Sequence, residues 1–352
     1  MRRVLTTGAV LALSATSAIA GGVERSTQST AIMFERGEYA EFSFSVSAYD
    51  LENTTGTSGD IQDPYTNFSF GYKRPLNDRL ELGVIVDQPY GASPEYPATA
   101  TNGFAGSYAD IDALSVTGLL RYKLENNVSL VGGLRAQAVK GEIVVPGYAL
   151  TTDKSYGLGY VLGVAWENPA KAQRVSLTYN SAITHDFDAS EGASIGAVTP
   201  TGSFETDTPQ SVNLEFQSGV APGTLVFGSI RWVDWTEYNI SPPGFPANPL
   251  SSYASDTITY RLGVGRRFND TWSGAVTLGH EPKTGDPTSP LGPRDGFTSL
   301  GVAATYTQGN MKLTGGLTYV WLGDATTTPA SGSQNFTGSG GPAAGFRIGY
   351  TF

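Results

Sequence analysis

The chain has 352 residues, of which only 15% are charged. It carries 32 acidic against 22 basic residues, a formal net charge of −10, which excludes a nucleic-acid or other phosphate-binding surface as its main feature. The 44 glycines disfavour helices, and a mean hydropathy of −0.15 excludes a helical membrane protein. Because cysteine is absent, a disulfide scaffold, a thiolate nucleophile and a zinc–thiolate site are excluded too. We expect no cofactor, no metal and no nucleic-acid partner.

Residues 1–20 have the pattern of a secretory signal peptide. Arg2 and Arg3 form a basic start, an apolar run follows, and "AIA", which ends at Ala20, matches a cleavage site before Gly21. An anchoring helix is the alternative, and it is disfavoured because the run is short and contains several Ser and Thr residues. The sequence therefore predicts an exported chain. Removal of both arginines leaves 20 basic against 32 acidic residues, a net charge of −12.

Residues 21–36 form a short N-terminal segment between the predicted cleavage site and the first predicted strand. It ends in a small apolar run that contains Ile32, Met33 and Phe34. Two interpretations remain open for this segment. It enters the interior of the structure that follows, with the apolar run as its tip, or it is a disordered periplasmic tail.

Residues 37–352 alternate between apolar and polar or small residues, as strands with one apolar face do. The stretches "LVGGLRAQA" from Leu130 and "MKLTGGLTYVW" from Met311 are clear cases. Short connections, such as "ENN" from Glu125, alternate with long ones rich in Gly, Ser, Thr, Asn and Pro. Because lipid cannot satisfy an open sheet edge, this pattern predicts an all-β fold, a transmembrane antiparallel β-barrel of about 14 strands with both termini periplasmic.

Two of the predicted long connections lie in the middle of the chain, at residues 146–153 and 188–204. Aromatic residues near the predicted strand ends suit the girdles that flank the lipid-facing band, with ordinary packing as the alternative for each. These residues are Tyr65, Tyr72, Trp166, Trp232, Trp235, Trp272 and Trp321.

The last eight residues, "GFRIGYTF", predict the closing strand of the barrel. Phe346, Ile348, Tyr350 and Phe352 alternate with polar or small residues, so we expect them to face lipid. A terminal Phe preceded by apolar and aromatic residues at alternate positions resembles the signal read by the barrel assembly machinery. A soluble edge strand that ends in Phe is the alternative.

Two stretches in the C-terminal part of the chain resemble the FadL family of outer-membrane transporters of long-chain fatty acids and hydrocarbons (OMPP1/FadL/TodX). The first is "TPQSVNLEFQSGVAPGTLVFGSIRWVDWTEY" from Thr208, in which a Pro and a Ser lead into a strand, a tight turn and a Trp-rich strand end. The second, from Tyr260 to Tyr306, has an Asn-Asp turn, a Trp-led strand, a Pro-rich loop and Arg-Asp before the next strand. The first half of the chain matches mainly in its hairpin layout.

The chain departs from this family at its N-terminus. Full-length members begin with a longer hatch that carries an Asn-Pro-Ala motif and plugs the lumen. Residues 21–36 are shorter and lack this motif. The segment is therefore interpreted as a reduced hatch or as a periplasmic tail, and no ligand residue that depends on the hatch is carried over.

The resemblance implies an outer-membrane channel for uptake of hydrophobic molecules such as long-chain fatty acids. The ligand would be captured by the extracellular loops and passed through the barrel lumen or its wall. Apolar side chains at these places are the candidates for ligand contact, namely Phe34, Phe104, Phe245 and Phe336. Packing within the loops is the alternative for the loop aromatics.

A carboxylate ligand would need a basic partner inside the barrel. Arg135 and Arg347 are the candidates because alternation places them on the face away from lipid, where a charge is not penalised. Pairing with lumenal Asp or Glu is the alternative for both. Pro89 and Gly91 near the end of the third strand give a weak indication of a wall opening, against ordinary strand termination.

The implied partners are hydrophobic small molecules, outer-membrane lipid and lipopolysaccharide, and the barrel assembly machinery. We expect a monomer in the outer membrane of a Gram-negative cell. A general diffusion porin for small polar solutes is the alternative function. An enzyme is not expected, because His185 and His280 lack a nucleophile elbow. A calcium loop at Asp186, Asp188 and Glu191 is disfavoured because its Gly is misplaced and its closing Glu is missing.

Overall fold

The structure, a computed structural model, describes residues 22–247, 249–327 and 333–352. The predicted signal peptide lies outside these residues. Nowhere in the described ranges is a helix long and apolar enough to cross a membrane.

A closed barrel of 14 antiparallel strands forms the body of the molecule. Each strand pairs with the next one around the barrel, and the last pairs with the first, with Phe42 opposite Ile348. The barrel strands are β1 (Tyr39–Ser47), β2 (Tyr65–Pro75), β3 (Leu80–Asp87), β5 (Tyr108–Lys123), β6 (Val128–Val145), β8 (Ser155–Asn168), β9 (Gln173–Asn180), β12 (Ser211–Ala221), β13 (Thr224–Val233), β16 (Thr257–Arg267), β17 (Trp272–Glu281), β18 (Phe297–Gln308), β19 (Met311–Leu322) and β22 (Gly340–Thr351).

Eight further strands lie in the long connections. They are β4 (Gly91–Ala92), β7 (Tyr148–Thr152), β10 (Ile183–Gly192), β11 (Thr199–Thr208), β14 (Asn239–Ile240), β15 (Ser251–Ser252), β20 (Ala325–Thr327) and β21 (Gln334–Phe336). Four single 3₁₀ turns complete the described elements. These are Ala31–Phe34, Pro169–Lys171, Ile195–Ala197 and Trp235–Glu237.

Short and long connections lie at opposite ends of the barrel, as the sequence predicts. The six short turns have at most four residues each, and the first and last barrel strands also meet at that end, where Tyr39 pairs with Thr351. In membrane barrels of this kind the short turns are periplasmic and the long loops extracellular.

Two predicted loops are in large part β-structure, so that prediction is wrong. The stretch 146–153 contains β7, and 188–204 contains parts of β10 and β11. β7 pairs with β6 and β10, and β10 pairs with β11, so the sheet continues past the level of the other strands. These strands are rich in Gly, Ser, Thr and Asp, which read as loop residues, but tertiary pairing overrides the local preference.

The two faces of the wall have opposite character. Outward-facing residues such as Leu158, Leu262 and Val302 are large, apolar and exposed, while Ser, Thr, Asn and charged residues face the lumen. Among the predicted girdle residues, Trp166, Trp272 and Trp321 are exposed on the outer face.

Tyr65 and Trp235 are buried inside, and the prediction is wrong for these two. Both lie where a strand gives way to a loop that folds over the barrel mouth. Alternation itself explains their position, because Tyr65 has the same parity as the inward-facing Asn67, and Trp235 the same parity as the buried Val233.

Three apolar clusters fill parts of the interior. The upper cluster, at the loop end, contains Tyr90, Val139, Phe187, Trp235 and Tyr238 among others.

The loop cluster closes the other side of the mouth, and the lower cluster lies towards the short turns. The members of the loop cluster are Tyr49, Leu51, Ile61, Tyr65, Tyr96, Phe104, Phe297, Val320, Leu322 and Phe336. Those of the lower cluster are Ile32, Met33, Tyr39, Leu119, Val131 and Val161.

Candidate functional site: an apolar cavity above an occupied lumen

Residues 22–36, called the N-terminal segment below, run inside the lumen from the loop end to the short-turn end. Arg25 and Ser26 N–H donate to Pro89 O at 2.8 and 3.2 Å, and Gly91 N–H donates to Val23 O at 2.8 Å. The segment thus replaces the sheet partner that the wall loses where β3 ends. The signal was present in the sequence as Pro89, which disfavours a continuous ladder.

The segment also contacts the opposite side of the barrel. Asn213 Nδ2 on β12 donates to Thr27 O at 2.9 Å, and Ser29 Oγ donates to Glu215 Oε1 at 2.6 Å. On the near side, Asn67 Nδ2 of β2 donates to Arg25 O at 2.7 Å. The N-terminal segment therefore spans the lumen between opposite walls.

A buried ion pair holds the upper part of the segment. Glu24 and Arg231 are each 3% exposed, and both Arg231 Nε and Nη2 donate to Glu24 Oε1, the first at 2.8 Å. Arg231 Nη1 also donates to Ser211 Oγ at 3.0 Å and to Asn213 Oδ1 at 2.6 Å. The charges are thus paired and hydrogen-bonded, as buried charges need to be.

Glycines in the wall make room for the side chains of the segment. A Cβ on Gly71 of β2 would overlap Ile32 Cδ1, and one on Gly83 of β3 would overlap Met33 Sδ. Any larger residue at these two positions would fill the space that the segment occupies.

Two arginines hold the lower part of the segment at Phe34. The guanidinium carbons of Arg121 and Arg174 lie 4.4 and 4.6 Å from the centre of the Phe34 ring. Arg121 Nη1 also donates to Met33 O at 3.0 Å and forms an ion pair with Glu81 at 3.2 Å. Phe34 therefore anchors the segment through cation–π contacts at the short-turn end.

An apolar cavity lies above the segment and below the extracellular loops. Its empty volume is about 540 Å³, part of it open to solvent, and its exposed lining is almost entirely apolar. The apolar lining residues are Val23, Tyr90, Ile111, Val139, Ile143, Leu150, Phe187, Phe204, Tyr238 and Ile240.

The long loop between β13 and β16 covers this cavity with aromatic residues. Tyr238 and Tyr253 pack against Trp235, with ring centroids 5.8 and 5.0 Å away. Burial raises the pKa of Tyr253 to about 12 and also raises that of Tyr238, so both phenols stay neutral at physiological pH. The cover therefore adds no ionised group to the cavity.

The barrel wall is interrupted beside this cavity, where β3 ends. Asp87 opposite Ser69 is the last pair between β2 and β3, and the chain then bends inward to the N-terminal segment. A second cavity of about 860 Å³, part of it open to solvent, lies at this place. Its lining comes from the N-terminal segment, from β1 and β2, and from Ile85 and Asp87 at the end of β3.

The sequence of residues 24–281 matches the family model described as outer membrane protein transport protein (OMPP1/FadL/TodX). The chain belongs to this family. The resemblance noted in the sequence is thereby confirmed, and so is the prediction of an outer-membrane β-barrel.

Solved structures show the same FadL-type fold. A FadL homologue of Pseudomonas aeruginosa shares 14% identity and a TM-score of 0.75, with 92% of each chain covered. The toluene transporter TodX of Pseudomonas putida shares 11% identity and a TM-score of 0.68, over 94% of this chain and 96% of that one. The toluene transporter TbuX of Ralstonia pickettii is 14% identical and has a TM-score of 0.64, with 90% of each chain covered. Among curated protein sequences, none is a match.

The three loop aromatics predicted to contact a ligand of this FadL-type barrel lie in two different clusters. Phe245 packs on Tyr148, with ring centroids 4.7 Å apart, at the edge of the upper cluster and near the cavity. Phe104 stacks on Tyr96 at 5.3 Å, and Phe336 is 1% exposed in the same loop cluster. Only Phe245 is therefore close to the apolar cavity, and none of the three is among its lining residues.

The two arginines predicted to hold a carboxylate contact protein groups instead. Arg135 Nε donates to Thr117 Oγ1 at 2.9 Å, and its Nη1 donates to Gln28 Oε1 of the N-terminal segment. Arg347 Nε donates to Ser43 Oγ at 3.2 Å, and its Nη1 lies 3.8 Å from Glu41 Oε2. Both side chains do face the lumen, as the alternation of their strands predicts.

The residues of the predicted assembly signal lie together on the outer face of β22. Phe346, Ile348, Tyr350 and Phe352 are all exposed. Phe346 packs beside Phe42 of β1 with ring centroids 6.1 Å apart, so the apolar face continues across the closure of the barrel. Their role in assembly stays a prediction.

The residues weighed for catalysis or calcium binding are dispersed. His185 is buried in β10 with Nε2 2.9 Å from Gln137 Oε1, whereas His280 is exposed. Alternation along β10 places Glu191 on the inner face, opposite to the outward-facing Asp186. Within the described ranges, no three His, Cys, Asp or Glu residues are close enough to hold a metal ion.

The cavity-lining residues of β6, β10 and β11 were not predicted from the sequence. Ile143, Phe187 and Phe204 are examples. Phe187 and Phe204 lie at or beside a stretch that reads as a loop, and their pairing opposite each other is what places both rings on the inner face. The signal that could have identified them is the alternation of Ile183, His185, Phe187 and Ala189 on one face. The opposite face carries Asp186 and Asp188, which are typical of a loop.

Proposed function

We propose that this outer-membrane protein is a channel for the uptake of small, uncharged hydrophobic molecules. The observation that carries the proposal is the apolar cavity between the extracellular loops and the N-terminal segment. An apolar molecule gains free energy there by leaving water, and it meets few polar groups that would have to be desolvated.

The cavity favours an uncharged molecule over a fatty acid because none of its described lining residues directs a free cation into it. Lys140 borders the cavity, but its ammonium group pairs with Asp112 at 3.2 Å and is half exposed on the outside. Arg135 is 5% exposed and engaged by Gln28 and Thr117. A carboxylate in the cavity would thus lose its hydration without a partner.

Related proteins of the same fold support the class of solute. TodX and TbuX are named as toluene transporters, and CymD, at 15% identity and a TM-score of 0.59 over 94% of both chains, is named as a monoaromatic hydrocarbon channel. The almost entirely apolar lining of the cavity suits an aromatic ring, which has no polar group to desolvate.

The N-terminal segment serves as a reduced hatch in this proposal. It blocks a straight path from the cavity to the periplasm because it spans the lumen between Asn67 and Asn213. The wall interruption after Asp87 offers the solute a lateral path into the bilayer, which accepts an apolar molecule readily.

Equilibrium binding to the purified protein in detergent tests the solute class. We expect a monoaromatic hydrocarbon such as toluene to bind at one site per chain and to be displaced by other uncharged hydrocarbons. A long-chain fatty acid should bind more weakly at pH 7 than its methyl ester, because only the acid carries a charge. Tighter binding of the acid than of the ester would contradict the proposal.

Filling the cavity tests its location. Val139→Trp places a bulky ring among the lining residues and should weaken toluene binding at least tenfold, since about 1.4 kcal/mol corresponds to a factor of ten. Ala138→Trp on the opposite face of the same strand is the matched control and should leave binding unchanged. Equal effects of both variants would mean that the solute binds elsewhere.

Ion conductance separates this function from the alternative of a general porin. A barrel whose lumen is crossed by the N-terminal segment should pass only a small current in planar bilayers. A large, steady and ion-selective current would favour the porin.

A further inference from the structure

The barrel wall has a second interruption, four strand pairs away from the one after Asp87. β8 pairs with β6 along its length from Ser155, but with β9 only from Val161 downwards. β10 continues β9 upwards and pairs with β7 only from Ala189 onwards. Within the described residues, 155–160 and 183–188 thus face each other without ladder pairs. This gap is called the seam below.

Hydrogen bonds close the seam at its two ends. At the lower end, Ser181 N–H donates to Tyr160 O at 3.0 Å and Tyr160 N–H donates to Ser181 Oγ at 2.9 Å. At the upper end, Asp153 N–H donates to Asp188 O at 3.2 Å. Between these ends no ladder pair joins the described backbones of β8 and β10, and unpaired backbone groups are costly in a wall that faces lipid.

Two glycines allow β10 to lie inward over β8 along the seam. A Cβ on Gly157 would overlap Ile183 Cγ2 and would lie 2.8 Å from Thr184 O. A Cβ on Gly159 would lie 2.6 Å from Ile183 Cγ1. The Ile183 side chain, itself 3% exposed, therefore lies across both glycines and seals the inner side of the seam.

The seam separates the apolar cavity from the lipid-facing surface. His185 and Phe187 of β10 line the cavity directly above Ile183. On the outer side, Tyr156 and Leu158 are 76% and 80% exposed, the highest values among the large apolar side chains of the described residues. The Ile183 side chain, with the Thr184 carbonyl and the His185 ring beside it, thus lies between the cavity and the lipid-facing surface.

The level of the seam fits the outer part of the membrane. Asn168 to Tyr160 is nine residues of β8, and a strand of about 9–11 residues crosses a bilayer. The seam begins at the upper end of this span, so it lies at the boundary between the hydrocarbon of the outer leaflet and its headgroups. Outward-facing Thr184 and Asp186 at its far edge are polar, as residues at the headgroup level are.

We propose that the seam is a second lateral portal, through which a small apolar molecule exchanges between the cavity and the outer leaflet, with Ile183 as its plug. The proposal rests on the proposed function, because it needs an apolar solute in the cavity. The proposed portal lies between β8 and β10, whereas the wall interruption after Asp87 lies between β2 and β3.

Access from lipid to Ile183 tests the portal. The natural chain has no cysteine, so Ile183→Cys carries a unique thiol. In lipid vesicles we expect a bilayer-dissolved N-alkylmaleimide to label it at least tenfold faster than Val161→Cys. Val161 is equally buried, at 0% exposed on the inner face of β8, but lies under an intact ladder. Because both thiols are buried, a difference in rate reports access. Equal rates would overturn the portal.

Release of bound solute is the second measurement. Ile183→Ala should speed the transfer of cavity-bound naphthalene into the vesicle bilayer several-fold, and Val161→Ala should not. If naphthalene binds but leaves both variants at the same rate, the portal is wrong and the proposed function stands. If no uncharged hydrocarbon binds to the unmodified protein at all, the proposed function fails and the portal with it.

Discussion

The charged side chains of the lumen hold the N-terminal segment more than they line an open pore. Glu24 pairs with Arg231, Gln28 with Arg135, and Phe34 lies between two guanidinium groups. The Glu24–Arg231 pair is buried, so removal of either partner leaves a charge without water or counter-charge. Individual residues therefore decide whether the segment stays in the lumen.

Glu24→Gln tests the upper anchor. The change leaves Arg231 buried without its counter-charge, which costs about 3–5 kcal/mol when one partner of a buried pair is removed. We expect residues 22–30 to exchange amide hydrogens faster by two orders of magnitude or more, since about 1.4 kcal/mol corresponds to a factor of ten. Hydrogen–deuterium exchange of the protein in detergent, read by mass spectrometry, measures this directly.

Two further variants control this experiment. Glu52→Gln removes an exposed carboxylate in the first loop and should leave exchange of the segment unchanged. Arg231→Met combined with Glu24→Gln removes both charges and should restore much of the protection, because a buried pair replaced by apolar groups is often neutral. Fast exchange in the double variant would mean that packing, and not the ion pair, retains the segment.

Sequence alternation predicts the face of a residue but not its partner. Arg135 and Arg347 were placed correctly on the lumenal face, because a charge in lipid is costly. Their contacts, Gln28 and Glu41, come from elements that meet only after the barrel closes. The same limit applies to Phe34, whose two arginines lie on β5 and β9.

At the scale of elements, the contour of β2 and β3 is shaped to receive the N-terminal segment. Gly71 and Gly83 leave space on the inner face for Ile32 and Met33, and β3 ends at Asp87 where the segment takes over its pairing. These strands and the segment are therefore one unit, although they are separate in sequence.

Gly83→Leu tests this unit. The added side chain would occupy the position of Met33 Sδ, so we expect the 3₁₀ turn Ala31–Phe34 to leave its site while the barrel still forms. Single-channel recordings should show an increased ion conductance, because the lower part of the lumen is vacated.

Gly118→Leu is the matched control for this change. Gly118 lies on the neighbouring strand β5, where it pairs with Val84 of β3. A Cβ on Gly118 would meet no atom within 4 Å. Its conductance should equal that of the unmodified protein. An unchanged conductance in Gly83→Leu as well would contradict the view that this glycine seats the segment.

The elements that the sequence predicted well are those with regular alternation and short turns. All six short turns were predicted, since Asn-Asp, Pro-Gly and Gly-Asn steps have strong turn preferences. The stretch 188–204, which holds parts of β10 and β11, was taken as a loop because its outward-facing residues are polar or acidic. A hydrophobic outer face is expected only at hydrocarbon depth, and this stretch lies above the seam, beyond that depth.

At the scale of the whole molecule, closure of the sheet explains the composition. The described barrel has no free edge, so every lipid-facing backbone group outside the two wall interruptions can pair within the sheet. Apolar residues occupy the outer face and the three interior clusters, and the rest of the lumen takes up the Ser, Thr and charged residues. This accounts for a mean hydropathy near zero in a membrane protein.

The same closure predicts opposite tolerance of the two faces to charge. Val302 lies in the middle of β18, is 54% exposed and pairs with Val276 and Leu317 on the outer face. Val302→Arg should lower the free energy of unfolding by about 2–4 kcal/mol, the usual cost of Arg at the bilayer midplane. Ala303→Arg, one residue further on the lumenal face, should cost clearly less because its charge meets the polar interior. Guanidinium unfolding in lipid vesicles compares the two. Equal losses would mean that the outer face of β18 does not contact hydrocarbon. That result would contradict a closed barrel in the membrane, on which the roles of the cavity, the N-terminal segment and both wall interruptions depend.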